Sequence, residues 1–401
     1  MIIEIHAIQN HSPSNLNRDD LGAPKTCYFG GVIRSRISSQ CIKRSIRTSE
    51  IFRDLCGGIR TRQLVRLLTE KVNADTAEQK RIEKILVLCG IKPKPGKSKK
   101  DENIKRDDDR SKMLIYTTRT AINEMAEILV SGKHRSETEL AQEFSQVIAE
   151  RTAVPDMALS GRMLEPDKDA KALWKNLETN VEASLQVAHA ISTHEARPLV
   201  DYYVAADDIP GDDAGAGYLD EAMFASACFY KYFSINWETL VNNLEGYNGN
   251  KEYLAAHTVG AFVRAVALVN PSGKQNSFAA HNPPDGILVE LKKSPVSYAN
   301  AFAQPVGSDV RDLISQSMAQ LGQYIHDLDQ GYGKPEKRFW FSPNLRFGLY
   351  ATEYENDLAV KKELTENSCK SMDELVKNVI DSMGYDWEQV KNVRLHSEFD
   401  S

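Results

Sequence analysis

The sequence predicts an α+β fold, with strands and helices in alternation and one long helical interruption. Residues 2–9 are mostly apolar and β-branched, which is typical of a strand. Residues 32–37 form a second short strand pattern, and helical spacing follows over 39–55. A helix-rich stretch then begins near residue 59 and interrupts this order. Such an interruption indicates an insertion into an α+β domain.

The remaining elements are predicted from periodicity, in chain order. Apolar residues at helical spacing predict helices over 59–88, 113–130, 137–151, 255–269, 309–328 and 371–383. Runs of strand-forming residues predict strands over 224–235 and 287–291. Residues 91–112 combine two prolines, a glycine and dense mixed charge, which predicts a mobile surface loop.

Composition bounds the class of protein. The 401 residues carry a formal net charge of −6, with 26% charged and 41% hydrophobic residues, as in soluble globular chains. No signal pattern and no apolar run of membrane-spanning length are recognisable. The six cysteines form no Cys-x-x-Cys pair, so neither a zinc site nor a disulfide framework is expected. We therefore expect a cytoplasmic protein with reduced thiols, without a metal and without a cofactor.

A segment without acidic residues stands out in this acidic chain. No Asp or Glu occurs in the 29 residues between Asp20 and Glu50, where the chain-wide frequency predicts about four. The six basic residues of the segment are Lys25, Arg34, Arg36, Lys43, Arg44 and Arg47. This segregation of charge indicates a surface for a polyanion, most simply a nucleic-acid backbone. The alternative is a solvated basic helix face.

The order of residues inside this basic segment favours the binding surface. Ser38 or Ser39 is a suitable N-cap for the following helix. In that helix, Ile42 and Ile46 form an apolar stripe beside a cationic stripe of Lys43 and Arg47. A phosphate would meet hydroxyl and backbone N–H groups at the helix start and cations one turn later.

Seven short motifs occur along the chain in a recognisable order. They are His11–Ser14, Asn17–Asp20, Phe29–Gly31, Arg36–Gln40 with Lys43–Arg44, Leu159–Met163, Ala188–His194, and Gly273–Gln275 running to Asn282–Pro283. In residues and order they resemble the CasC family, the backbone subunit of the type I-E CRISPR surveillance complex Cascade. The resemblance is slight between about residues 57 and 158, and loose after Pro283.

The CasC resemblance implies a particular architecture. It implies a modified RNA-recognition-motif (ferredoxin-like) palm, a helical fingers insertion and a protruding thumb hairpin. The implied boundaries are 1–57, 185–193 and 224–401 for the palm, 58–184 for the fingers and 194–223 for the thumb.

The resemblance also implies a function. The chain would bind CRISPR guide RNA independently of sequence, as the repeated backbone subunit of a type I Cascade complex in antiviral defence, without enzymatic activity. Its implied partners are the guide RNA, target DNA paired to the guide, further copies of itself head to tail, and the large, small and guide-end-binding subunits. No membrane is implied, and recruitment of a nuclease is left open.

The predicted RNA-binding residues join the basic segment to positions that the resemblance implies. They are Arg18, Lys25, Arg34, Arg36, Ser38, Ser39, Gln40, Lys43, Arg44, Arg47, Met163, Tyr202, Tyr203, Lys274 and Gln275. By resemblance, the two tyrosines lie on the thumb against the guide, Met163 is an apolar wedge, and Lys274 contacts a phosphate. The alternative for Tyr202 and Tyr203 is packing in a core.

Two rival functions remain open. Asp19 and Asp20 are adjacent carboxylates, and a metal-dependent endoribonuclease of the type III backbone kind would use one of them. Loop hydrogen bonding to their own backbone is the structural alternative for these acids. The second rival is a scaffold whose basic surface binds protein carboxylates. His189 and His194 are five residues apart, a spacing that favours packing and capping over zinc binding.

Overall fold

A computed structural model describes residues 1–92, 111–205, 218–307, 311–355, 358–393 and 395. Most of the predicted charged loop over 91–112 and residues 206–217 of the predicted thumb lie outside the described residues.

The described strands and helices alternate along the chain. The strands are β1 Ile2–Ser14, β2 Thr26–Phe29, β3 Val32–Ile37, β4 Gly58–Thr61, β5 Ile115–Thr118, β6 Leu185–Val187, β7 Ala190–Ser192, β8 Leu199–Ala205, β9 Tyr218–Asn236, β10 Gly286–Lys292, β11 Lys337–Phe341, β12 Tyr350–Glu355, β13 Leu358–Glu363 and β14 Asn367–Cys369. The helices are α1 Ser39–Arg47, α2 Glu50–Arg53, α3 Leu64–Lys71, α4 Thr76–Leu88, α5 Arg119–Ser131, α6 Glu137–Glu150, α7 Pro155–Ser160, α8 Trp237–Asn243, α9 Lys251–Leu268, α10 Gln275–Phe278, α11 Leu313–Tyr332, α12 Met372–Ser382 and α13 Trp387–Val390. The predicted mixed α+β fold is confirmed.

One large mixed sheet organises the fold. Within the described ranges it has ten strands, with the path β14-β11-β10-β1-β9-β7-β3-β2 and with β6 and β8 also paired to β9. The central strand β1 is antiparallel to both neighbours, so Ile5 pairs with Phe233 of β9 and with Val289 of β10. Its residues Ile2–Ile8 are buried throughout, as expected of a strand covered on both faces.

Helices cover the two faces of this sheet. On one face, Ile8 and Tyr230 share a buried cluster with Met318 and Leu321 of α11. Phe233 is three residues beyond Tyr230, so its side chain points to the other face. There its ring meets that of Phe262 from α9 edge-on, with centroids 5.5 Å apart.

The described residues divide into two compact units. One is drawn from 1–53, 186–237 and 259–391 and contains the large sheet; the other is drawn from 54–185, 238–258 and 392–401. The predicted palm, fingers and thumb boundaries stay a prediction.

The second unit has its own helical core. Apolar residues of α3, α4, α5 and α6, among them Leu68, Ile85, Met125 and Phe144, are buried together. Capping boxes begin α4 at Asp75 and α6 at Ser136, so local sequence sets both helix starts. No helix among the described residues has the length and apolar character needed to cross a membrane.

Candidate nucleic-acid interface

The basic segment folds as the hairpin β2–β3 followed by helix α1. Tyr28 pairs with Ile33 across the hairpin, and β3 pairs next with β7 through Arg36 and Ile191. The turn contains Gly30 and Gly31, with φ of 61° and 82°. These left-handed conformations favour glycine, so the Gly-Gly pair suits the turn.

Arg34 links this hairpin to neighbouring segments through buried hydrogen bonds. Its side chain is fully buried, with 0% of its surface exposed. Its guanidinium donates hydrogen bonds to four backbone carbonyls, those of Phe29 (3.2 Å), Ser192 (3.0 Å), Phe302 (2.7 Å) and Ala303 (3.4 Å). Burial lowers the pKa of Arg34, yet these bonds keep the cation satisfied. The expectation that Arg34 is a surface ligand is thereby corrected, because its N–H groups point into the protein.

The start of α1 follows the predicted capping pattern. Ser38 is the N-cap, and its Oγ accepts a hydrogen bond from the backbone N–H of Cys41. The Ser38 N–H in turn donates to Oδ1 of Asn17 at 2.8 Å. Ser38 and Ser39 are both buried, whereas Gln40 is exposed in the first turn. The hydroxyl of Ser38 therefore serves the helix, and Gln40 is the side chain that this turn offers to solvent.

Three of the predicted cations act on one histidine, His189. Arg36 Nη1 lies 3.0 Å from Nδ1 of His189, and Arg36 Nε donates to the carbonyl of Thr26. Partial burial and then the charges of Arg36, Lys25 and Lys43 lower the pKa of His189. We call Lys25, Arg36, Lys43 and His189 the cationic cluster. Sequence reasoning missed His189, since nothing in its local spacing indicates these neighbours.

A cleft of about 890 Å³ opens elsewhere on the same unit. It is lined by the loop at 16–22, by residues from 41–51 and by residues from 268–281, and both Arg18 and Arg44 face it. The structure thus brings these two predicted cations to a common surface. Arg47, also predicted, lies half-buried on α1.

The predicted turn at Lys274 and Gln275 lies beside this cleft. Lys274 is exposed and has a left-handed φ of 52°. Gln275 Nε2 donates to the carbonyls of Pro271 (3.0 Å) and Ala280 (3.3 Å), so its amide braces the turn. A Cβ on Gly273 would lie 2.4 Å from the carbonyl oxygen of Leu16, which explains the glycine.

Asp19 organises the loop at the rim of the cleft. Its Oδ1 accepts hydrogen bonds from the backbone N–H groups of Leu21 and Ala23, both at 2.9 Å. This is the loop role that competes with catalysis for such residues. In the described part of the chain, neither Asp19 nor Asp20 belongs to a group of three side chains placed to share a metal ion.

The group that does have metal-like geometry is Glu4, His6 and Glu290, all buried in the sheet. Lys292 Nζ already lies 2.7 Å from Glu4 Oε2 and 2.6 Å from Glu290 Oε2. Arg338 Nε adds a contact of 2.6 Å to the other oxygen of Glu290. The two carboxylates are therefore neutralised by protein cations, and the group forms a buried ion network.

The predicted aromatic pair lies on β8, which pairs with β9. Tyr202 and Tyr203 are 67% and 43% exposed, so neither is a core residue. In the second unit, Met163 is 77% exposed. The neighbouring Arg162 is buried and donates to the carbonyls of Thr179 and Ile148, which leaves Met163 as the outward-facing residue of its motif.

A mixed sheet with a cationic surface and exposed aromatic side chains is typical of proteins that bind nucleic-acid backbones. The chain belongs to the CT1975-like protein family, whose family model matches residues 3–386. No curated protein sequence matches it.

Two solved structures are similar along nearly the whole chain. One, described as a CRISPR RNA-guided surveillance complex, pre-nicking, is 26% identical over 95% of this chain and 100% of that chain, with a TM-score of 0.77. The other, described as a CRISPR RNA-guided surveillance complex, is 23% identical over 96% of this chain and 100% of that chain, with a TM-score of 0.56, and its likeness concerns the fold. The predicted CasC-like character is confirmed.

Proposed function

We propose that this chain binds CRISPR guide RNA as the repeated backbone subunit of a Cascade-type complex and presents the guide for pairing with target DNA. The observation that carries the proposal is the 26% identical chain of a CRISPR RNA-guided surveillance complex, which aligns over its full length. The family match is consistent with it.

The chemistry of the exposed and half-buried cations supports binding without sequence readout. Lys25, Arg36 and Lys43 form one cluster, and Arg18 and Arg44 share the cleft. Such side chains bind phosphates, which are the same for every base. Sequence would be read by base pairing between guide and target, and a net charge of −6 is tolerable because only the binding surface must be basic.

The exposed tyrosines support the proposed thumb. Tyr202 and Tyr203 stand on the β8–β9 ribbon that we propose as the thumb, and their rings would stack or wedge against the guide of a neighbouring copy. We propose Met163 as an apolar wedge on the helical unit, which would be the fingers. The large sheet would then be the modified RNA-recognition-motif palm.

We propose that the chain is not a nuclease. Asp19 Oδ1 is already used by two backbone N–H groups of its own turn, which supports a loop role over metal binding. Copies would assemble head to tail in the cytoplasm along one guide, together with the other Cascade subunits.

The test is co-purification followed by a cleavage assay. The protein, expressed together with a CRISPR array, should carry a discrete small RNA, seen as ultraviolet absorbance in excess of that of protein. Labelled RNA incubated with the protein and Mg²⁺ should be bound and stay intact. Purification without nucleic acid from such cells would contradict guide binding, and Mg²⁺-dependent cleavage lost in Asp19→Asn or Asp20→Asn would favour the endoribonuclease.

A further inference from the structure

His189 lies between β6 and β7, with its ring exposed at the surface. Its Nδ1 is 3.0 Å from Nη1 of Arg36. A guanidinium has donors and no acceptor, and it stays charged, so Nδ1 must be the acceptor of this bond. Arg36 therefore selects the neutral tautomer with the proton on Nε2.

Every charged group that bears on His189 is a cation. Arg36 on β3 contacts the ring, and the charges of Lys25, before β2, and Lys43, on α1, also act on it. Within the described ranges, none of these four residues forms an ion pair with a carboxylate. The positive charge around the ring is thus not compensated by a carboxylate. Partial burial lowers the pKa of His189, and these positive charges lower it further.

The other histidine of the same motif is arranged differently. His194 Nδ1 bonds with the carbonyl of Glu195 at 2.8 Å, and its Nε2 accepts from the N–H of Cys228 at 3.2 Å. Both ring nitrogens of His194 are thus used inside the protein. Among the described residues, Nε2 of His189 has no such partner, and its proton is available to an anion.

We propose that His189 is a phosphate ligand of the RNA surface and that RNA binding takes up a proton at its ring. This inference rests on the proposed function. A bound phosphate neutralises Lys25, Arg36 and Lys43 and accepts the hydrogen bond from Nε2. A proton from solvent then binds Nδ1, which breaks the bond to Arg36 and releases Nη1 to donate to a phosphate oxygen.

The direction of the pH dependence follows from this exchange. The imidazole binds a proton more tightly in the RNA complex than in the free protein. At a pH between the pKa of His189 in the free protein and its pKa in the complex, the complex therefore holds more protons. RNA affinity should therefore rise as the pH falls through that interval. Each unit of difference between the two pKa values corresponds to about tenfold in affinity.

The experiment measures binding of an unstructured single-stranded RNA to the full chain, at about one unit above and about one unit below the ordinary imidazole pKa of about 6.5. His189→Gln keeps an amide that can hydrogen-bond with Arg36 and phosphate, but it does not titrate. His134→Gln is the matched control, because His134 is exposed in the other unit. Wild type and His134→Gln should bind several-fold more tightly at the lower pH, and His189→Gln should lose most of that gain.

The outcomes separate the two proposals. Absence of RNA binding by the wild type at both pH values would overturn the proposed function and this inference with it. RNA binding with the same pH dependence in wild type and His189→Gln would overturn this inference alone. If the variant does not fold, the pKa of His189 in the wild type is measured from its ring resonances by NMR. This pKa should rise when RNA is added, and an unchanged pKa would overturn the inference.

Discussion

The guanidinium of Arg34 and the carbonyl oxygen of Phe302 are joined by a buried hydrogen bond of 2.7 Å. The same side chain reaches the carbonyls of Ser192 and Phe29, so it ties three separate segments to one cation. Arg36, two residues further on, stays at the surface and contacts His189. One buried arginine thus fixes the hairpin that carries the cationic cluster.

Replacing Arg34 should destabilise the protein. Arg34→Met removes the donor from four carbonyls. Buried groups without partners are costly, so the free energy of unfolding should fall by more than about 2 kcal/mol. Urea unfolding measures it. Arg44→Met is the control, since Arg44 is exposed and its loss should change stability by about 0.5 kcal/mol or less. Equal stability of the two variants would contradict the role of Arg34.

Gly30 and Gly31, the two turn residues, allow a matched comparison of alanine substitutions. Both have positive φ, but a Cβ on Gly30 would lie 1.7 Å from the carbonyl oxygen of Ala303, whereas one on Gly31 would have no neighbour within 4 Å. Gly31→Ala should cost only the left-handed conformation, about 1–2 kcal/mol. Gly30→Ala should cost clearly more in thermal unfolding and weaken RNA binding, because the hairpin must move away from residue 303. Similar melting temperatures would show that the contact yields easily.

Lys25 and Lys43 should act as phosphate contacts. The double variant Lys25→Ala, Lys43→Ala should lower affinity equally for RNAs of different sequence and flatten the dependence of log affinity on log salt by about 0.7 per lost contact. The control is Lys370→Ala, an exposed lysine outside the basic segment. A salt dependence as steep as that of the wild type would mean that these lysines do not contact RNA.

Tyr202 and Tyr203 should matter for assembly and not for folding. Tyr202→Ala with Tyr203→Ala should leave the melting temperature of RNA-free protein almost unchanged, whereas core aromatic truncations cost about 3–5 kcal/mol. Assembly on long guide RNA should weaken, because stacking contributes about 1–3 kcal/mol per base and is lost in every copy. A large drop in melting temperature with normal assembly of the folded fraction would place the tyrosines in a core.

The buried ion network predicts acid sensitivity. Burial raises the pKa of Glu290, but the charges of Lys292, Arg338 and His6 outweigh it, and the pKa stays below the ordinary 4.5. A carboxylate with a lowered folded-state pKa stabilises the protein fully above its unfolded-state value, and that stability is lost as the pH falls through the folded-state value. The free energy of unfolding of the wild type should therefore drop below about pH 4.5.

Glu290→Gln tests the origin of this acid sensitivity. The variant should be less stable near neutrality by about 3–5 kcal/mol, because it leaves Lys292 and Arg338 short of a counter-charge. Its stability should vary less with pH in the acid range, as measured by urea unfolding at several pH values. An acid dependence as steep as that of the wild type would assign the effect to other carboxylates.

Local patterns in the sequence predicted the features that depend on a few neighbouring residues. Ser38 caps α1, and Ile42 and Ile46 are buried on its inner side, as the spacing indicated. The predicted helix over 39–55 is in fact two, α1 and α2, because Thr48 and Ser49 hydrogen-bond back to the carbonyls of the last turn of α1. The predicted helix over 59–88 similarly contains strand β4 and a break at Asn73, where φ is positive.

By itself, then, the sequence determined the mixed α+β class, the cap and stripes of α1 and the segregation of basic residues, because each depends on composition or on spacing along the chain. Only the tertiary structure decided which cations reach the surface. Arg34 and Arg36 share one face of β3 by alternation, yet Phe302 and Ala303 cover Arg34 and leave Arg36 beside His189, 153 positions away in sequence. The burial of Glu4 and Glu290 was equally hidden, because the counter-charge of each comes partly from another strand of the sheet. Burial and long-range pairing depend on segments that meet only after folding, and no local pattern encodes them.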